Sequence, residues 1–186
     1  MRLFVALEIP ITARQNLATL IASLRAVTRE PRWVRAENLH LTLKFLGDVA
    51  EDKLAAVQTA LGGIRSHQAV TLEIRGLGFF PSEKNPRVFW AGIRASSNLK
   101  TLAADIEGVM EKCGISREKQ EFSPHLTLAR LERPLPEALR KAVAENAQRE
   151  FGSLETREFH LIQSKLKPAG AEYTTLKTFP FSASVE

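Results

Sequence analysis

Apolar residues recur along this chain at two periods, and the strand-like and helix-like stretches follow one another in a fixed order. The run Leu3–Ile9 is short, continuous and rich in β-favouring residues, so it reads as a buried strand ended by Pro10. From Thr12, a residue suited to capping, to about Val27 the spacing is helical, with Leu17, Leu20, Ile21 and Leu24 on one face. Pro31 and the polar stretch 35–38 lead into a strand over Leu39–Leu46, stopped by Gly47 and Asp48. A helix over about Glu51–Arg65 carries Leu54, Val57 and Leu61, and a strand over about Val70–Phe80 ends at Pro81. The succession then runs again: strand Val88–Ile93, helix from a Ser97 cap to about Cys113, strand His125–Leu131 after Pro124, helix Pro136–Glu150 and strand Thr156–Leu166. One more strand, about Tyr173–Phe181, closes the series.

A β-α-β-α-β order traversed twice predicts an internal duplication, with one repeat over about 1–81 and the other over about 87–167. The polar, turn-rich segment Pro81–Arg87 joins them. The fold expected is α+β (α/β): two pseudo-twofold-related lobes, each a mainly antiparallel sheet flanked by helices, around a central cleft. Together they would form a single two-lobed domain over 1–186. Individual residues carry the repeat as well. His-Leu-Thr-Leu stands at His40–Leu43 and again at His125–Leu128, 85 residues later. At that offset Phe4 falls on Phe89, Ala6 on Ala91, Thr12 on Ser97, Leu17 on Leu102, Ala18 on Ala103, Ile21 on Ile106 and Leu54 on Leu139.

Composition narrows the setting. With 44% hydrophobic and 25% charged residues the 186-residue chain has the make-up of a soluble globular protein. A net charge of +5 is compatible with an anionic partner such as nucleic acid or phosphate, and equally with a merely basic surface. The single Cys113 can form no internal disulfide, which fits a reducing compartment, and no histidine is arranged beside it to make it a nucleophile. The run Leu3–Leu7 is too short for a signal peptide and is interrupted by Glu8, and no stretch approaches a membrane span. A cytoplasmic protein, away from membranes and monomeric, is expected.

On a strand, side chains alternate between faces, so His40 and Thr42 share one face, as do His125 and Thr127. If the repeats pack about a twofold axis, the two polar faces meet across one cleft. An imidazole with an ordinary pKa of about 6.5 can be neutral or protonated near neutral pH, so such a pair can activate water and protonate a leaving group. The threonine hydroxyls can donate to a phosphate oxygen, and Arg130 adds positive charge. Lys44 could act similarly in the first repeat, or be a solvated surface lysine. His67 and His160 lack a flanking Thr and a repeat partner and read as structural. Metal chemistry is disfavoured. Neither motif contains Cys, the nearest acids are Asp48, Glu121 and Glu132, and two histidines fall short of the three ligands a zinc site takes. No serine of the nucleophile-elbow kind is present. Phe45, Trp33 and Tyr173 are each as compatible with stacking on a base as with the core.

The motifs resemble those of the 2H phosphoesterase superfamily. Arg2-Leu-Phe-Val-Ala-Leu, Asn38-Leu-His-Leu-Thr-Leu-Lys-Phe-Leu-Gly47 and Phe122-Ser-Pro-His-Leu-Thr-Leu-Ala-Arg130 are similar to its RNA 2′,3′-cyclic phosphodiesterase branch, as are Val88-Phe-Trp-Ala-Gly and the late Ser164, Gly170, Tyr173 and Leu176. The resemblance implies hydrolysis of the 2′,3′-cyclic phosphate terminus of an RNA or oligonucleotide to a 2′-phosphomonoester, with no metal and no cofactor. It further implies that His40 is the proton donor and His125 the proton acceptor, with Thr42, Thr127 and Arg130 binding the phosphate. The residue chemistry alone leaves acid and base unassigned. Joining RNA through a 2′–5′ linkage, in effect the reverse reaction, is implied as a secondary activity. A phosphodiesterase for a small cyclic nucleotide phosphate and a non-catalytic RNA-end-binding module are the alternatives.

Overall fold

A computed structural model describes residues 1–65, 68–132 and 134–181 of the chain; His67 lies outside them. In chain order the elements are β1 (Arg2–Leu7), α1 (Ile11–Val27), β2 (Arg32–Trp33), β3 (Leu41–Asp48), α2 (Leu54–Gly62), β4 (Val70–Phe80) and β5 (Val88–Ala95). There follow α3 (Asn98–Lys112), β6 (His125–Arg130), α4 (Glu137–Glu145), β7 (Glu150–Thr156), β8 (Glu158–Lys167) and β9 (Gly170–Pro180). Short 3-10 turns at Ala36–Asn38 and Glu51–Lys53 lead into β3 and α2.

Local signals were overridden in three places. Thr12 does not cap α1; Pro10 occupies that position, and its carbonyl takes the Arg14 N–H at 3.0 Å. Ser97 sits at the cap of α3 without a side-chain cap bond. The helical pattern over Pro136–Glu150 ends at Glu145, followed by a turn in which the Arg149 N–H donates to the Asn146 carbonyl at 3.1 Å, and Glu150–Thr156 then forms a strand along the open edge of β4, Leu72 opposite Leu154.

Both sheets are antiparallel and each takes strands from both halves of the chain, in the orders β3-β1-β8-β9 and β2-β6-β5-β4-β7. The third strand of each repeat is exchanged: β8 completes the sheet of β1 and β3, and β4 completes that of β5 and β6. The helices cross over too. Helices α1 and α4 pack on β7 and β4, whereas α2 and α3 pack on β9 and β3. Pro81–Arg87 is therefore a hairpin between neighbouring strands of one sheet, closed by Arg87 N–H to the Phe80 carbonyl at 2.7 Å, and does not separate the lobes. The apolar faces of both sheets and of the helices merge into one core, which takes in Leu3, Val5 and Leu7 of β1 together with Leu41, Phe89, Ile106, Leu126 and Leu139.

An extra residue at the same place in each motif strand sets which side chains face the cleft; β3 carries a further one, Leu46, near its end. In β3, Ala6 pairs with Thr42 and Val5 with Lys44, so Leu43 is bulged out of the ladder. In β6, Trp90 pairs with Thr127 and Phe89 with Ala129, so Leu128 is bulged at the same place in its motif. A bulge shifts the parity of every residue beyond it. Phe45 and Arg130 therefore join the His-x-Thr face, while Ala129 turns into the core and Lys44, though it borders the cleft, is buried. The same registers correct the repeat: Val5 corresponds to Phe89 and Ala6 to Trp90, an offset one shorter than that of the motifs, so the identities Phe4/Phe89 and Ala6/Ala91 are not structural equivalences.

Lys44 is consequently not a solvated surface lysine, and its ammonium is already engaged. It is fully buried, its Nζ donating to Glu107 Oε1 at 2.7 Å and to the Ser116 carbonyl at 3.0 Å. Glu107 also accepts the Glu118 N–H at 3.0 Å, so this pair ties β3 and α3 to the segment that leads to the second motif. We expect Glu107→Leu, which strands the ammonium, to cost about 3–5 kcal/mol in urea unfolding, and Lys44→Met with Glu107→Leu to recover much of the loss. Additive losses would contradict this coupling.

Candidate active site

The two motif strands adjoin: β3 is the edge of its sheet, and it touches β6 of the other. Between them lies a cleft of about 1060 Å³ whose walls include His40, Thr42, His125, Thr127 and Arg130. All five residues singled out from the sequence thus meet in one cavity, with Phe45, Phe80, Arg87 and Tyr173 beside them.

The histidines are held alike. His40 Nδ1 lies 3.1 Å from the Asn38 carbonyl, and His125 Nδ1 lies 2.8 Å from the Ser123 carbonyl, each two residues upstream. A carbonyl only accepts, so Nδ1 carries the hydrogen in both rings. Nε2 is left as a lone pair in the neutral ring and as an N–H donor in the charged one, and it has no protein partner among the described residues. Either ring can therefore give or take a proton at Nε2. Asn38 is itself anchored, its Nδ2 donating to the Ala171 carbonyl at 2.7 Å. Because backbone atoms orient both imidazoles, residue types at 38 and 123 gave no signal.

Aromatic rings support each imidazole. Phe80 meets His125 edge-on with centroids 4.9 Å apart. Tyr173 lies 5.9 Å from His40 and 4.9 Å from Phe4, which in turn lies 6.0 Å from Phe45. Trp33 is different: it packs on Phe89 and its indole N–H donates to the Thr28 carbonyl at 3.1 Å, so it is a core residue. Room for the Trp90 ring comes from Gly78, where a Cβ would stand 2.3 Å from Trp90 Cζ2. His160, outside the motifs, is buried with Nδ1 at 3.0 Å from Thr178 Oγ1. Cys113 is partly buried against the core at the end of α3.

Burial is the main influence on His40 and lowers its pKa, with Arg14 acting in the same direction and the Asn38 carbonyl and Glu8 against it. Burial raises the Tyr173 phenol, while Arg130 and Arg2 pull it down. Arg130 thus acts electrostatically on a tyrosine that itself packs against His40, which links the second motif to the first. Among the described residues, no group of three or more His, Cys, Asp or Glu could hold a metal ion. No helix of the described residues is long and apolar enough to cross a membrane.

Comparison with known proteins agrees with this geometry. The LigT like phosphoesterase family model matches residues 7–90 and 93–173, and the chain belongs to that family. It is 36% identical over 179 residues to an RNA 2′,3′-cyclic phosphodiesterase of Archaeoglobus fulgidus, covering 96% of this chain and 99% of the relative. A crystal structure from Thermus thermophilus superposes with a TM-score of 0.81 at 32% identity, covering 99% of this chain and all of that one. The crystal structure of E. coli LigT complexed with 3′-AMP gives a TM-score of 0.76 at 30% identity, covering 97% of this chain and 98% of that one.

The lowered His40 value fixes the sign of a pH effect. The unfolded chain takes up the proton first, so the stability that the neutral ring confers is present above about 6.5 and is lost as pH falls from there through the folded value. In NMR titrations we expect His40 to titrate below the ordinary histidine value, and to move upward when inorganic phosphate is added. An unshifted His40, indifferent to phosphate, would contradict the assigned environment.

Proposed function

We propose that this LigT-like phosphoesterase opens the 2′,3′-cyclic phosphate at the end of an RNA or oligonucleotide, leaving a 2′-phosphomonoester. The reading is supported above all by the mirrored pair of imidazoles, each fixed through Nδ1 by a carbonyl and each leaving Nε2 for chemistry in one cleft. The names of the relatives supply the substrate class.

In this mechanism His125 Nε2 accepts a proton from water as the water oxygen bonds to phosphorus. The bond between phosphorus and the 3′-oxygen breaks, and His40 Nε2–H delivers a proton to the departing oxygen. Thr42 and Thr127 hydroxyls donate to the non-bridging oxygens, and the Arg130 guanidinium offsets the charge that grows there. No metal is required in these steps. Burial alone disfavours a charged His40, whereas a bound phosphodiester anion favours it, so the donor is charged chiefly in the complex. Formation of a 2′–5′ linkage follows from the same arrangement when an RNA 5′-hydroxyl takes the place of water at His125; we regard it as secondary. We read the protein as a cytoplasmic monomer and the chain as one two-lobed domain.

Each of His40→Ala and His125→Ala should lower kcat by about 100-fold or more with the fold retained, and chelator should leave the wild type active. A folded variant with near wild-type turnover would overturn the mechanism. The pH profiles test the roles separately. The optimum should lie at higher pH for kcat than for kcat/KM, because the bound anion raises His40. Coincident optima would contradict a His40 donor.

A further inference from the structure

The segment between β2 and β3 runs from one motif strand to the other. Arg32 lies opposite Arg130, the Val34 N–H donates to the Leu128 carbonyl at 2.9 Å, and the 3-10 turn that follows ends beside His40. Val34 borders the catalytic cleft and also a second, shallower groove of about 730 Å³ between this segment and α1. The two depressions thus share Val34 as a wall.

The charged walls of that groove are Arg25, Arg29 and Arg35 against the single carboxylate of Glu37. Arg35 is fixed, donating to the Ala169 carbonyl with Glu37 at 3.8 Å. Arg25 and Arg29 are exposed and have no ion pair or hydrogen bond among the described residues. At the opposite end of the cleft the balance differs. There Lys100 stands 3.8 Å from Glu121 and Arg117 stands 2.8 Å from Glu111, with Glu107 and Glu118 also in the wall. A polyanion leaving the cleft meets paired charge on that side, and toward α1 it meets the exposed, unpaired Arg25 and Arg29.

We propose that the groove between α1 and the Val34–Glu37 segment carries the RNA strand on the 5′ side of the cyclic phosphate, with Arg25 and Arg29 neutralising its backbone phosphates. This rests on the reading of the cleft as the site for the RNA end. Contacts of this kind are independent of sequence and weaken with salt, and they act only on substrates long enough to reach them. The catalytic groups would be indifferent to the length of the strand, and these arginines would make the enzyme sensitive to it.

The test compares the wild type with Arg25→Gln/Arg29→Gln on cytidine 2′,3′-cyclic phosphate and on an RNA of about ten nucleotides with the same end. In the variant, kcat/KM on the RNA should fall about tenfold or more at low salt, and its logarithmic salt slope should become shallower by about 1 per arginine removed. The mononucleotide should be hydrolysed at the wild-type rate. Equal kcat/KM on the RNA in both proteins, or an equal loss on both substrates, would overturn the proposal while leaving the hydrolytic reading intact. Fluorescence anisotropy with the labelled RNA separates the two readings. Weaker RNA binding by the variant without turnover by the wild type would uphold the groove and overturn the hydrolytic reading, and unchanged binding would overturn the groove.

Discussion

The two bulges, at Leu43 and Leu128, are the constraint on which the site depends. Without them, strict alternation would leave Arg130 on the core side of β6 and bring Lys44 to the cleft side of β3. With them, the guanidinium joins His125 and Thr127, and the lysine goes inward to Glu107. The repeat places Phe45 where the second motif has Arg130, so the bulges produce an asymmetric cleft from symmetric motifs. One wall offers an aromatic ring at that position and the other a positive charge, which suits a ligand with an apolar base and an anionic phosphate.

Strand exchange makes this site a property of the whole chain. Neither half closes a sheet of its own, since β8 completes the sheet of the first motif and β4 that of the second. Tyr173, near the end of the chain, packs against His40, near the start of β3, and the Phe80 ring from the first half supports His125 from the second. The buried Lys44–Glu107 pair adds a polar tie between β3 and the approach to the second motif. Its cost of burial is met only while both partners stay in place, which makes it a device of position more than of net stability.

Much of this was legible in the sequence because motif, period and repeat agreed. His40, Thr42, His125, Thr127 and Arg130 meet in one cleft, as the paired strands required. What the residues could not show was register. Bulges are recorded in pairing, not in composition, so alternation misassigned Lys44 and a chance identity set Phe4 against Phe89. The exchange of β4 and β8 was hidden for the same reason, because a strand's apolar pattern says that it is buried and not in which sheet. β7 fell between the expected helix and the expected strand and went unread, since its pairing with β4 is long-range. Arg25 and Arg29 carried no motif; only their place beside Val34 distinguishes them.

If both motifs act on one cyclic phosphate, the chemical nature of the product records it. An oligonucleotide ending in a 2′,3′-cyclic phosphate is incubated with the protein in the presence of chelator, and the terminus is identified by phosphorus NMR. A 2′-phosphomonoester is expected, formed by the wild type and by neither histidine variant. A 3′-phosphomonoester, or a product that appears only when a divalent metal is restored, would contradict it.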